Sequence, residues 1–157
     1  MGEAFWRFAL VLYSRPGVAE ALLRLQDRDH CDVNLILFAL WVGAVLRRRL
    51  DPDALAIAEA AIGPIRDEVA APARALRRRL KSAADPDTPP LRRRVAALEL
   101  AAERKIEERL ACLVDAGNDG EPLAAAEANL GLCLGTSPGA MPEAAALLAA
   151  LTEMVVR

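Results

Sequence analysis

Asp32-Val33-Asn34-Leu35-Ile36-Leu37-Phe38-Ala39-Leu40-Trp41-Val42-Gly43-Ala44-Val45-Leu46 is the stretch that decides the fold. No polar side chain interrupts the 12 residues from Leu35 to Leu46. A membrane-spanning helix needs about 20 such residues, so the run predicts a buried helix instead. A helix that is apolar almost all round has no face for water, which puts it at the centre of the molecule. Asp32 is a good N-cap, and the helix is expected from Val33 to about Arg49. Asn34, in its first turn, is the one polar exception.

Composition extends this reading to the whole chain. Ala fills 33 and Leu 25 of the 157 positions, whereas Val, Ile and the aromatics together fill 21. Helices favour the first pair and strands the second set. The length suits one domain of about 100–200 residues. The expected fold is therefore all-α: a single bundle of six or seven helices over residues 1–157, built around the helix at about 33–49.

Before the central helix, Glu3 to Tyr13 carries an apolar stripe at helical spacing, and a second helix covers about Pro16 to Asp27. After it, Asp51-Pro52-Asp53 is a helix start with a cap, a proline and an acid in the first turn. Gly63-Pro64 is expected to end that helix, and a longer one follows to about Lys81, kinked near Pro72. A stiff loop at Asp85–Pro90 leads to the longest helix, about Leu91 to Ala116, ended by Gly117. Leu123–Leu134 and Met141–Val156 complete the set. No internal repeat of solenoid length is visible.

All six aromatics lie between Phe5 and Trp41. Any aromatic-walled pocket must therefore come from the first three helices, with Trp6, Tyr13 and Trp41 as candidate walls. The later helices can pack only through small side chains, which lets them approach closely.

The long helix contains the clearest anomaly. At about 100° per residue, Leu91, Val95, Leu98, Ala102, Ile106, Leu110 and Leu113 form one stripe. Glu99 falls inside that stripe and Glu103 at its edge. A carboxylate on a core face costs several kcal/mol unless it is paired. Asn34, the cap Asp32 and an arginine such as Arg66 or Arg77 are the candidate partners. Such a set is either a buried network that fixes helix register or the polar floor of a ligand pocket. A carboxylate metal site of the helical-bundle type would want Glu-x-x-His pairs, which the chain lacks.

Other features carry less chemistry. The turn Asp27, Asp29, His30, Cys31, Asp32 holds metal-capable groups, but a zinc site needs about four nitrogen or sulfur ligands, so a solvated turn with a cap is expected and no metal. Walker loops, dinucleotide turns, nucleophile elbows and CxxC pairs are absent, so no cofactor is expected. Cys31, Cys112 and Cys133 are an odd, widely spaced set that suits a reducing cytoplasm. Cys31 lies at a helix start, where a thiolate is favoured. Phe5–Tyr13 resembles a signal h-region, but Glu3 and Arg7 argue against one. The basic residues are 18 Arg and 2 Lys, and triplets occur at 47–49, 77–79 and 92–94. With a net charge of −2 and guanidinium groups splayed round their helices, specific nucleic-acid binding is not expected.

Phe5-Trp6-x-Phe8-x-Leu10-x-x-Tyr13, followed by Asp32-Val33-Asn34-Leu35-x-Leu37-Phe38-x-x-Trp41, resembles a family of small all-helical bacterial proteins, mostly proteobacterial, of unknown function. Leu25-Gln26-Asp27-Arg28, Pro72-x-Arg74-x-x-Arg77-Arg78-x-Leu80-Lys81 and Glu99-x-x-Ala102-Glu103 share the likeness, which spans roughly residues 5–115. It implies a bacterial cytoplasmic helical domain and transfers no catalytic residue.

Two functions are therefore expected. The first is a non-catalytic interaction or accessory protein, working through a partner protein or self-association. The second is a binder of a small or lipid-like ligand, or an enzyme, with a pocket between the aromatic helices and the Glu99 helix. Glu99, Glu103, Asp32, Asn34, Trp6, Tyr13, Trp41 and Arg77 are its candidate ligand-binding residues.

Overall fold

The computed structural model describes residues 1–83, 85–118 and 120–155. Eight α-helical segments follow one another: α1 Gly2–Tyr13, α2 Val18–Asp29, α3 Val33–Ala44, α4 Pro52–Ile65, α5 Ala71–Leu80, α6 Thr88–Ala111, α7 Pro122–Leu134 and α8 Pro142–Val155. A π-helical turn, Arg66–Ala70, joins α4 to α5 without a break. The described residues thus form seven helical rods and contain no strand. The expectation that the last helix reaches Val156 lies outside them.

α3 is the hub, packed by α1, α2, α6 and α7. Asp32 caps it by accepting from the backbone N–H groups of Asn34 (2.8 Å) and Leu35 (3.3 Å). Every residue from Asn34 to Gly43 is buried. Phe38 and Trp41 meet Phe5 of α1, with ring centroids 6.1 and 4.9 Å apart.

Three expectations are corrected. The central helix stops at Ala44, not near Arg49: Arg47 takes a left-handed conformation (φ 54°) and the Arg48 N–H returns to the Val42 carbonyl at 3.1 Å. Val45 is left half exposed, and the 47–49 arginines lie beyond the helix end. Asn129 of α7 holds this exit. Its amide donates to the carbonyls of Ala39 (3.2 Å) and Arg48 (2.9 Å), and its oxygen accepts from the Leu50 N–H (2.8 Å).

Secondly, Gly63-Pro64 does not end a helix. The rod runs through it into the π turn, where the Ala71 N–H bonds the Arg66 carbonyl five residues back. That wider turn relieves the crowding that the Pro72 ring would otherwise impose on the turn before it. Thirdly, α6 closes at Ala111 through short i→i+3 bonds from Cys112 and Leu113. Gly117 is not its cap. The Gly117 N–H instead docks on the Leu46 carbonyl at 2.7 Å.

The small-residue packing expected of the later helices is found between α3 and α7. A Cβ on Gly43 would lie 2.3 Å from the Ala126 backbone, so the two helices touch main chain to main chain there. Phe38→Ala should cost about 3–5 kcal/mol, the usual range for a large core truncation. Gly43→Ala should cost about 3 kcal/mol by overpacking alone. Urea unfolding measures both, and a Gly43→Ala cost under about 0.5 kcal/mol would contradict this contact.

Candidate functional site

Glu99, Glu103 and Glu107 succeed one another at four-residue spacing, so their side chains line one face of α6. Like charges at this spacing repel. The fold resolves the row by giving each carboxylate a different environment.

Glu99 is 6% exposed and fully engaged. One oxygen accepts from Arg74 Nε (3.0 Å) and Arg77 Nη2 (3.1 Å), and the other from Arg77 Nε. Burial alone would push its pKa up, but the hydrogen bonds from Arg77 and Arg74 outweigh it and hold the carboxyl below its ordinary value. Glu103 is half-buried and accepts from Arg74 Nη2 at 2.8 Å, so Arg74 clamps two turns of α6. Glu107 is different. It is 3% exposed, and one of its oxygens has no hydrogen-bond partner. Burial first, then the charge of Glu103, push its pKa up to about 7, with Arg104 opposing.

These groups floor a cleft of about 300 Å³ between α1, α2, α3, α5 and α6. Trp6, Ala9, Leu10, Leu23, Leu37 and Leu100 form its apolar wall, and Asn34, Arg74, Glu99, Glu103 and Glu107 its polar side. Leu10, Tyr13, Leu23 and Leu100 are 40–52% exposed and open it to solvent. Burial and neighbouring Glu103 raise the Tyr13 phenol above its ordinary value, although Arg74 pulls it down.

The structure brings Trp6, Tyr13, Asn34, Glu99 and Glu103 together at this cleft. Arg77 stands behind Glu99 rather than on the wall. Trp41 does not reach the cleft: it lies two turns beyond Asn34, 1% exposed and stacked on Phe5. Asp32 pairs with Arg66 (3.5 Å) instead of joining Glu99. It faces a neighbouring polar cleft of about 370 Å³ with His30 and Cys31, which shares Gln26, Asn34 and Arg74 with the first. Burial and Asp29 raise the Cys31 thiol, so its helix-start position does not favour a thiolate. Among the described residues no group of three or more His, Cys, Asp or Glu is placed to hold a metal ion.

Sequence reading missed Arg74 and Glu107. The i, i+4, i+8 acid row marks Glu107, and Arg74 sits one turn before Arg77 on the face of α5 that meets α6. The leucine stripe misled. Leu91, Leu98 and Leu113 are 52%, 53% and 40% exposed. The buried face of α6 is rotated by roughly 60° from that stripe, toward the glutamates, at 100° per residue.

Opposite signs are expected for the two buried acids. Glu107 has a folded pKa raised above its unfolded value, so its folded state binds more protons between pH 4.5 and about 7. Stability is lost as pH rises through that window. Glu107→Gln should remove the loss, raising stability at pH 8 by about 1–3 kcal/mol. Glu99 has a lowered pKa, so its contribution is present above the ordinary carboxylate range and lost as pH falls. Glu99→Gln should cost about 2 kcal/mol at pH 8, less than a fully buried pair because Arg77 is partly solvated. Urea unfolding of both variants at pH 5 and 8 tests the division. Shifts in the same direction would contradict it.

A family model described as "Protein of unknown function (DUF2390)" matches residues 4–110. No curated protein matches the chain, and no solved structure matches it either. The match covers about two thirds of the chain and every side chain that lines the cleft. It agrees with the likeness read from the sequence at the level of a family of unknown function. The chain belongs to the DUF2390 family.

Proposed function

We propose that this protein is a non-catalytic binder of a small organic molecule, held in the cleft between α1, α3 and α6. The observation that carries the reading is Glu107: a carboxylate with an unused oxygen, buried at the polar side of an apolar-walled cleft. A buried acceptor without a donor costs about 1–3 kcal/mol. A water, an ion or a ligand can supply the missing donor, and the apolar-walled cleft beside Glu107 favours a ligand. The volume of about 300 Å³ lies at the lower end of the range for small-molecule sites.

Docking of a partner protein or of a second copy is less well supported. The small faces of the later helices, which suit helix docking, are used inside the molecule: Ala125, Ala126, Ala144 and Ala150 are all buried. Three free thiols suit work in a reducing cytoplasm.

Native mass spectrometry of the protein isolated from the cells that make it tests the reading. The expected spectrum shows the chain plus a small organic mass, released on unfolding. Leu100→Trp, at the half-exposed rim, should abolish the added mass while leaving the helical circular dichroism intact. A spectrum of bare chain alone, or an adduct that survives Leu100→Trp, would contradict a ligand in this cleft.

A further inference from the structure

We propose, building on the ligand-binding reading above, that the cleft takes an organic cation. A primary or secondary ammonium sits between Glu107 and Glu103, and its apolar body lies against Trp6, Leu10 and Leu100.

Charge bookkeeping supports this. Three carboxylates, Glu99, Glu103 and Glu107, stand beside two guanidinium groups, those of Arg74 and Arg77, which bond only Glu99 and Glu103. Both arginines are already committed: Arg74 gives Nε to Glu99 and Nη2 to Glu103, and Arg77 gives Nε and Nη2 to Glu99. Arg78, on the cleft wall, turns to Asp27 at 3.1 Å. Arg104 is held by Glu3 at 2.8 Å and lies over the Trp6 ring, 5.4 Å from its centroid. The unmet need of the cleft is therefore for positive charge and N–H donors. A carboxylate or phosphate would meet Glu103 and Glu107 head on. A bare metal ion would exchange its hydration shell for apolar wall. An ammonium on an apolar body satisfies both sides, because its donors match the Glu103 and Glu107 carboxylates that line the cleft and its body covers the apolar wall.

The charged and titratable groups around Glu107 set the pH response. They are Glu99, Glu103 and Arg104 on its own helix, Arg74 and Arg78 on α5, and Tyr13 on α1; α2 and α3 present only uncharged side chains to the cleft. Seating a cation favours ionised Glu107, so binding expels its proton and affinity rises as pH increases from 6 to 8.

Isothermal titration calorimetry on the full chain with three matched probes tests the proposal: 2-phenylethylammonium, 2-phenylethanol and phenylacetate. The ammonium is expected to bind at least about tenfold tighter than the other two. Buffers of different ionisation enthalpy should report release of about half a proton per ligand at pH 7. Glu107→Gln should cut ammonium affinity by about tenfold or more and leave the alcohol unaffected. If the alcohol or the acid binds as tightly as the ammonium, the cation proposal falls while the ligand reading stands. If the ammonium binds best but Glu107→Gln changes nothing, Glu107 is not its seat and the proposal falls. If no probe binds at millimolar concentration, both fall.

Discussion

The rotation of α6 about its own axis is the constraint on which the rest depends, and the Glu99 ion pairs fix it. The leucines of α6 alone would turn a different face inward. Instead Arg74 and Arg77 reach from α5 to take both Glu99 oxygens, and Arg74 extends to Glu103. Burying that carboxylate costs desolvation that only close, multiple hydrogen bonds offset. Their geometry is met in the observed rotation of α6. Once Glu99 is fixed, the helix period carries Ala102, Ile106 and Leu110 into the core and exposes Leu91 and Leu98. The same period carries Glu107 inward, one turn past the reach of either arginine. Its unpaired state is thus a consequence of the pairing of Glu99.

The other side of α3 is held by contacts of a different kind. Gly43 lets α7 touch α3 backbone to backbone, and Asn129 satisfies the main chain where it leaves the helix. The helices meet there through small groups, Gly43 on Ala126. Phe5, Phe38 and Trp41 plug the middle. Beyond them the cleft opens beside Asn34 and Leu37, between α1 and α6.

How much of this was legible in the sequence follows from the strength of each signal. The central helix was readable because 12 apolar residues behind an Asp cap admit little else, and the all-helical class followed from Ala and Leu. The end of that helix was not readable. Its closure depends on Asn129, 80 residues away, rather than on a local glycine. The π turn was hidden because Gly63-Pro64 and Pro72 look like breakers, whereas the rod runs on unbroken and packs along α6. Glu99 was identifiable from its angle. Its partners were not, because one arginine in a helix rich in arginine looks like the next. Trp41 was misplaced as a cleft wall because helical spacing says which face a ring shares, not what stands in front of it; Phe5 does.

The fate of the three glutamates is the claim on which both the register of α6 and the ligand chemistry rest. Carbon-13 NMR titration of the glutamate side-chain carboxyls in the free protein measures it most directly. We expect Glu107 to titrate with a midpoint of about 7 and Glu99 to remain ionised below the ordinary carboxylate range. A Glu107 midpoint near the unperturbed value of about 4.3, together with a Glu99 midpoint at or above it, would contradict the division of the row and the site built on it.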